Sequence, residues 1–537
     1  MSAHDALPAQ FCRMMTASPA EKISGWPAWL AAALVTLAIF GLHVFFLFHA
    51  GGFWRDEVNV INLAASHSPA FMARDSFPIL LPVLIKVWSA LGLAGCDFNL
   101  RCLGSLIGLG LPGTLWLAAW TARRAPPILS LILLGLNSEA IFWGDSLRAY
   151  GLGSLLIVFA LVAMCFLLQK PNWRRTGILA VAAILCVQAL YQNAVLFASI
   201  GLGGWLVCWL RKDTRTALKI FVAGLVACCS LLPYLGGVAN WSRSAAVIRP
   251  GFSMTAVVGN FTTVTAFPLP QYVWLWTLLV LVVIGLGIAV LFRQLPQSNQ
   301  RPAGLSLTEL QLFAGGTLFA AFAGYFCFLH FAALITEPWY FLPLVALAAG
   351  CFELAIALPA LPRWWRTVTT AILFATAAIA LPFAARDLNC RFTNVDLVAN
   401  ALTEKISPPD YVVVTPWYLG ISFERYYHGA AAWDTLPPVA DHSTHRFDLA
   451  QTALADHRTS QAVLDRIATT LQAGHRVWIV GWMSVPAPGR TAATEAGRFL
   501  AEHSQSFAAL DVKTPGRICD FEEISLLLAS GWRTNQP

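Results

Sequence analysis

Residues 29–48 read WLAAALVTLAIFGLHVFFLF, and residues 51–59, just beyond them, read GGFWRDEVN. The first stretch carries no Asp, Glu, Lys or Arg, and about 20 apolar residues suffice to cross a bilayer as a helix. The second sets two adjacent carboxylates, Asp56 and Glu57, beside Arg55 at the end of that run. A charge at a membrane boundary is costly to desolvate without a partner, which makes the pair a functional candidate. The alternative is that they only mark where the span meets water, and position alone does not separate the two.

The rest of the chain repeats this alternation of apolar runs and short polar breaks. Of its 537 residues 57% are hydrophobic and 12% charged, with a mean hydropathy of +0.64. Soluble domains carry about twice that charge, so the composition is that of a polytopic membrane protein. The first 25 or so residues are mixed and polar, and no small-residue cleavage site follows the first run, so a retained first span is expected rather than a cleaved signal peptide.

A net charge of +7 raises the question of a polyanionic partner. Its placement answers against nucleic acid. Lys and Arg cluster between apolar runs, at Arg123-Arg124, Lys170 with Arg174-Arg175, Arg211-Lys212 with Arg215 and Lys219, Arg293 with Arg301, and Arg363 with Arg366. Every second connection is basic and the others are not, which is the positive-inside pattern of a chain whose N-terminus is cytoplasmic.

By length, about eleven spans are expected, at 27–49, 98–120, 126–143, 148–168, 177–195, 196–210, 217–236, 271–292, 310–331, 339–358 and 367–385. The apolar stretch FPILLPVLIKVW at 77–88 is excluded from the count, because two prolines and Lys86 suit an amphipathic helix in the interface. Residues 294–302, QLPQSNQRP, read as a cytoplasmic loop. The expected division is a cytoplasmic terminus at 1–26, a membrane domain at 27–386 with a first external loop at 50–97, and an outward-facing domain at 387–537.

Past Arg386 the composition turns polar, with histidines at 428, 442, 445, 457 and 475 among others. Short β-branched runs at 410–415 and 475–480 alternate with helical patterns at 449–471 and 491–503, the signature of a small α/β domain. The histidines lack metal-ligand spacing. Of twelve cysteines most lie in apolar runs as small core residues. Cys96 with Cys102, and Cys390 with Cys519, leave a disulfide open in an oxidising compartment.

Five polar segments fall at the outer ends of these spans. They hold Arg55, Asp56 and Glu57; Lys86 leading to Arg101; Glu139, Asp145, Arg148 and Tyr150; Arg243 and Arg249; and His330, Glu337 and Tyr340. Their convergence suggests a cavity open to the outer leaflet. Arg148 starts a span, where a guanidinium needs a partner: either a carboxylate such as Asp145 or Glu139, or a phosphate held in its fork. Lys86, Arg243 and Arg249 are phosphate-binding candidates against a bland reading as snorkelling or solvated charges. His330 is read first as a packing residue.

In that order FWRDE (53–57), FPILLPVLIKVWSALG (77–92), DFNLRCLGSLIG (97–108), SEAIFWGDSLRAYGLGSLL (138–156) and EPWYFLPL (337–344) resemble integral-membrane glycosyltransferases of the GT-C class. The resemblance is to the bacterial branch akin to protein O-mannosyltransferases and aminoarabinose (lipid A) transferases, and covers about residues 27–385. It implies a polyprenyl-phosphate-sugar donor and a lipid, polysaccharide or protein acceptor, at a bacterial inner membrane. It maps a catalytic base onto Asp56, an assisting carboxylate onto Glu57 and the phosphate-binding arginine onto Arg148. Trp339 stands before Tyr340 where many relatives carry an arginine.

The chemistry implied is inverting single displacement, with no tightly bound cofactor. A divalent cation at the adjacent carboxylates stays open, although two oxygen donors alone make a weak site. The competing class is a carrier or flippase for lipid-linked sugars, or a non-catalytic assembly partner. Transporters of that kind place charges near the midplane in repeated halves. Here the charges gather at one face.

Overall fold

The computed structural model describes residues 19–73, 76–122, 125–236, 251–292, 304–332, 335–356, 362–482 and 492–533. Arg243, Arg249 and the 294–302 loop lie outside the described residues. Nine described helices are long and apolar enough to cross a membrane, from Trp26–His49 to Trp364–Leu388. Helix is what such runs must form, because hydrocarbon offers their backbone groups no other partner.

Two of the eleven expected runs depart from a continuous long helix. The 126–143 run breaks into Ile128–Ser130, a π-helical turn Leu131–Gly135, and a last piece Ser138–Gly144. Asn137 makes the break: its Oδ1 accepts from Ala140 N at 3.0 Å, and its Nδ2 donates to Val264 O at 2.7 Å. The 177–195 run is the 17-residue helix Trp173–Ala189. Asn193 closes it, donating to Cys186 O at 3.2 Å and Gly153 O at 3.1 Å, and itself begins the next helix, Asn193–Leu210.

Four elements frame the site. The first helix, α1 (Pro19–His49), ends at the paired glycines, and α2 (Arg55–Ala65) follows at once. The 77–88 stretch is α3 (Leu80–Ala90), at 11 residues too short to cross a bilayer. The next long helix, α4 (Asp97–Thr121), packs against Ala149–Gln169. Polar contacts at the basic end tie Arg211 Nε to Glu309 Oε1 at 2.5 Å and Gln169 Nε2 to Thr121 O at 2.6 Å. The carboxylate loop lies at the opposite end.

The C-terminal domain is built on a five-stranded sheet in the order β2 (Ala432–Thr435), β1 (Tyr411–Thr415), β3 (Val477–Gly481), β5 (Ser525–Trp532) and β4 (Ser504–Leu510). The first three are mutually parallel, and β5 runs antiparallel to both its neighbours. Both faces of β1 are covered: Val412 and Val414 pack with Phe423 and Leu402, Tyr411 and Val413 with Ile467 and Leu471. That explains why its sequence reads as an unbroken apolar run. The expected 449–471 helix is two, Phe447–Ala455 and His457–Gln472. Asp456 separates them and caps the second, accepting from Arg458 N at 3.0 Å.

This domain is docked on the loop through specific bonds. Phe392 N donates to Ala50 O at 3.0 Å, and Phe53 N to Tyr426 Oη at 2.7 Å. Tyr426 in turn donates to Asp97 at 2.7 Å, beside an Arg425–Asp97 ion pair at 2.5 Å. The glycine pair permits the approach. Gly51 has φ +71°, and a Cβ there would lie 2.5 Å from the Arg391 guanidinium; one on Gly52 would meet Asp396 at 2.8 Å. The described cysteines, including Cys96, Cys102, Cys390 and Cys519, are free thiols.

Candidate active site

Asp56 and Glu57 occupy the first turn of α2, where the helix N-terminus favours negative charge. Successive residues on a helix point about 100° apart, so the two carboxylates diverge. Glu57 turns into the bundle and is fully buried. Arg101 of α4 grips it with both nitrogens, Nη1 to Oε1 at 2.6 Å and Nη2 to Oε2 at 2.9 Å, and also donates to Gly52 O at 2.7 Å. Leu147 N adds a bond to Glu57 at 2.8 Å. Burial pushes the Glu57 carboxyl up, and these donors pull against it. This bridge fixes the turn that presents Arg148.

Asp56 turns toward the docked domain and keeps 26% of its side chain exposed. Arg148, the N-cap of Ala149–Gln169, is buried over the Phe77 ring at 4.7 Å. It reaches Asp56 Oδ2 at 3.4 Å and donates to the Asp56 carbonyl at 3.2 Å. His445 Nε2 lies 3.0 Å from Oδ1 and Arg55 Nε lies 3.8 Å from it. Burial opposes ionisation of Asp56, but Arg148, His445 and Arg55 outweigh it and hold the carboxyl well below the usual range. A cation-flanked carboxylate with an open edge can take a proton once its cation is drawn elsewhere.

The other sequence candidates divide. Tyr340 and Tyr150 join the cluster, their rings 5.7 Å apart and their hydroxyls within the field of Arg148 and Asp56. Arg55 binds Glu522 of the C-terminal domain, through Nη1 at 3.0 Å and its backbone N at 3.1 Å. Lys86 donates to Ser66 O at 2.5 Å and is half-buried. Asp145 does not pair with Arg148: it is buried against His43 Nδ1 at 2.8 Å. Glu139 accepts from Trp143 Nε1 at 2.9 Å, so neither carboxylate expected as the structural partner of Arg148 fills that place. His330 is exposed beside Phe252, and half-buried Glu337 stands at the N-cap position of the turn Pro338–Phe341, which carries Tyr340.

No group of three or more His, Cys, Asp or Glu among the described residues could hold a metal ion. The divergence of Asp56 and Glu57 removes the shared cation site that their adjacency suggested. Trp339, the departure from the resemblance, packs at a tilt against Trp143 at 4.1 Å and meets Phe521 of the C-terminal domain edge-on at 4.8 Å, so an aromatic wall fills that position.

Sequence reasoning missed two groups, His445 and Glu522, both from the C-terminal domain. The histidine stands in DHSTHR (441–446), where spacing speaks to metal ligation but says nothing of a partner in another domain.

No protein-family model and no curated relative matches the chain. Among solved structures it is similar to ArnT from Cupriavidus metallidurans bound to undecaprenyl phosphate, with a TM-score of 0.50 and 14% identity, over 94% of this chain and 98% of that one. The oligosaccharyltransferase of Archaeoglobus fulgidus in its apo form aligns with a TM-score of 0.44 and 12% identity, over 85% of this chain and 70% of that one. From the first helix to the C-terminal sheet, this chain has the fold of the GT-C membrane glycosyltransferases.

Proposed function

We propose that the chain is a membrane glycosyltransferase that moves a sugar from a polyprenyl-phosphate donor to an acceptor hydroxyl or phosphate, with inversion. The reaction would occur on the periplasmic side of a bacterial inner membrane, where the non-basic ends of the spans and the C-terminal domain would lie. One observation carries the reading: a quarter-open carboxylate, Asp56, that a buried arginine, Arg148, reaches on one oxygen at 3.4 Å while His445 holds the other at 3.0 Å. The fold likeness to a protein seen with undecaprenyl phosphate supports the class of donor.

The steps follow from charge. The donor phosphate takes the Arg148 fork, which binds phosphate in two-point fashion. Asp56 then loses its cation and gains an anionic neighbour, and both changes raise its basicity. An acceptor oxygen gives its proton to Asp56 and bonds to the anomeric carbon. The carbon–oxygen bond to phosphate breaks, its electron pair leaving with polyprenyl phosphate, whose new charge Arg148 neutralises. Tyr340 and Tyr150 would border the phosphate, with Lys86 as a second cation if it leaves Ser66. Glu57 serves as a positioning residue through Arg101 and Leu147.

The test is a mass-spectrometric profile of lipid-linked sugars in cells expressing wild type or Asp56→Asn. A polyprenyl-phosphate-sugar that accumulates only with the variant supports transfer and names the donor. Identical profiles, with both proteins folded and the pathway active, overturn Asp56 as base and favour a carrier.

A further inference from the structure

We propose that the C-terminal domain completes the active centre by supplying His445 as a positioning residue for Asp56. The inference rests on Asp56 being the base. His445 Nε2 lies 3.0 Å from Asp56 Oδ1, although 389 residues separate them in sequence. Its Nδ1 is buried and has no hydrogen-bond partner among the described residues. A proton on Nδ1 would be buried without an acceptor, so the neutral ring carries its proton on Nε2 and donates it to Asp56.

The contact is built, not incidental. The segment that carries His445 lies along α2, the same helix that carries Asp56. His445 N donates to Asn59 Oδ1 at 2.9 Å, and Asn62 Nδ2 donates to Ser443 O at 2.8 Å. Asn59 is one turn beyond Asp56 and buried. From behind, Arg446 pairs with Asp441 at 2.5 Å, and the His445 ring packs on Phe447 at 5.6 Å. The imidazole is therefore registered to Asp56 through the backbone of its own loop and the side chains of α2.

The two carboxylate oxygens have different partners, and that division suggests the role. Oδ1 is held by His445 and Oδ2 by Arg148. When a donor phosphate draws Arg148 away, Oδ2 is released to accept a proton. Oδ1 stays tethered, so the carboxylate keeps its aim when its other restraint leaves. Without His445, Asp56 would keep only the 3.8 Å contact of Oδ1 with Arg55 Nε at the moment it must act. The donor would still bind, because Arg148 is untouched.

The experiment uses the full chain and two readouts: undecaprenyl phosphate binding by the purified protein in nanodiscs, and accumulation of polyprenyl-phosphate-sugar in cells. The variants are His445→Phe, which keeps a packed ring without a donor, His445→Gln, whose amide can reach the Nε2 position, and Asp56→Asn. We expect His445→Phe to bind undecaprenyl phosphate as wild type does and to lose about 100-fold in turnover, the scale of a misplaced catalytic group. His445→Gln should restore most of it. Wild-type donor consumption by His445→Phe overturns the inference, as does a loss of undecaprenyl phosphate binding that Gln does not repair. Donor consumption by Asp56→Asn instead overturns the base itself, a distinguishable failure that takes the inference with it. If the Phe variant does not fold, the Gln variant decides: failure to turn over while folded and binding overturns the role assigned to the Nε2 proton.

Discussion

Asp56 with Arg148 and Glu57 with Arg101 are two arginine–carboxylate pairs built one residue apart, and they contrast in every other respect. The Glu57 pair is closed: two short bonds, a third from Leu147 N, and a carboxylate with no exposure. The Asp56 pair is open, at 3.4 Å, with 26% of the carboxylate exposed. A pair satisfied on all sides has no vacancy for a substrate and serves to hold elements together. A pair left loose at an edge can exchange its partner. Chemistry of the same kind thus becomes scaffold or site according to how many of its oxygen lone pairs the protein itself fills.

The largest expected effects test that division directly. Asp56→Asn should lower transfer by about 100- to 10,000-fold, the usual worth of a general base, and cost less stability than Glu57→Gln, because its contact with Arg148 is longer and its edge is open. Glu57→Gln should do the reverse in kind: it leaves Arg101 buried beside a neutral partner, a loss of about 3 kcal/mol of stability or more. The comparison breaks if Glu57→Gln melts like wild type yet loses turnover in step with Asp56→Asn. Thermal unfolding and donor accumulation, measured on both variants together, decide it.

A smaller effect sharpens the same contrast on the cation side. Arg148→Lys keeps the charge but loses the planar fork, so undecaprenyl phosphate affinity should fall about tenfold. Arg101→Lys should leave that affinity nearly intact and lower stability, because one ammonium cannot replace bonds to both Glu57 oxygens and Gly52 O. Equal affinity losses in the two variants would mean that Arg148 acts through structure, as Arg101 does.

The open pair was more legible in the sequence than the closed one. FWRDE at a span end and Arg148 at a span start both stand out, because charge at a membrane boundary is costly and therefore rare. Glu57 goes with Asp56 in the sequence because adjacency along the chain looks like adjacency in space, whereas a helix turns neighbours apart. Helices were legible because apolar length is a local property. The break at Asn137 was not, since it depends on Val264 lying across the bundle. His445 and Glu522 were hidden for the same reason: nothing local in DHSTHR or FEE says which loop of another domain it will meet.

The smallest effect concerns a third carboxylate, Glu522, which lies between the two extremes. It is fully buried like Glu57, yet its arginine partner, Arg55, keeps 20% of its side chain exposed at the rim beside Asp56. Burial pushes the Glu522 carboxyl up to about 7, against the pull of Arg55. An unfolded glutamate titrates near 4.5. Between those values the folded protein holds a proton that the unfolded chain lacks, so Glu522 makes stability fall as pH rises from about 4.5 to about 7. Above that window both states are ionised and the contribution is flat. Glu522→Gln has no such proton, so subtracting its melting curve from that of wild type isolates the group from every other titration. The difference, wild type minus variant, should decline by a few degrees between pH 5 and pH 7.5. A difference that rises with pH would mean that Arg55 outweighs burial, placing Glu522 with the ion pairs that hold their charge. The docking of the C-terminal domain on α2 would then strengthen toward neutral pH instead of toward acid.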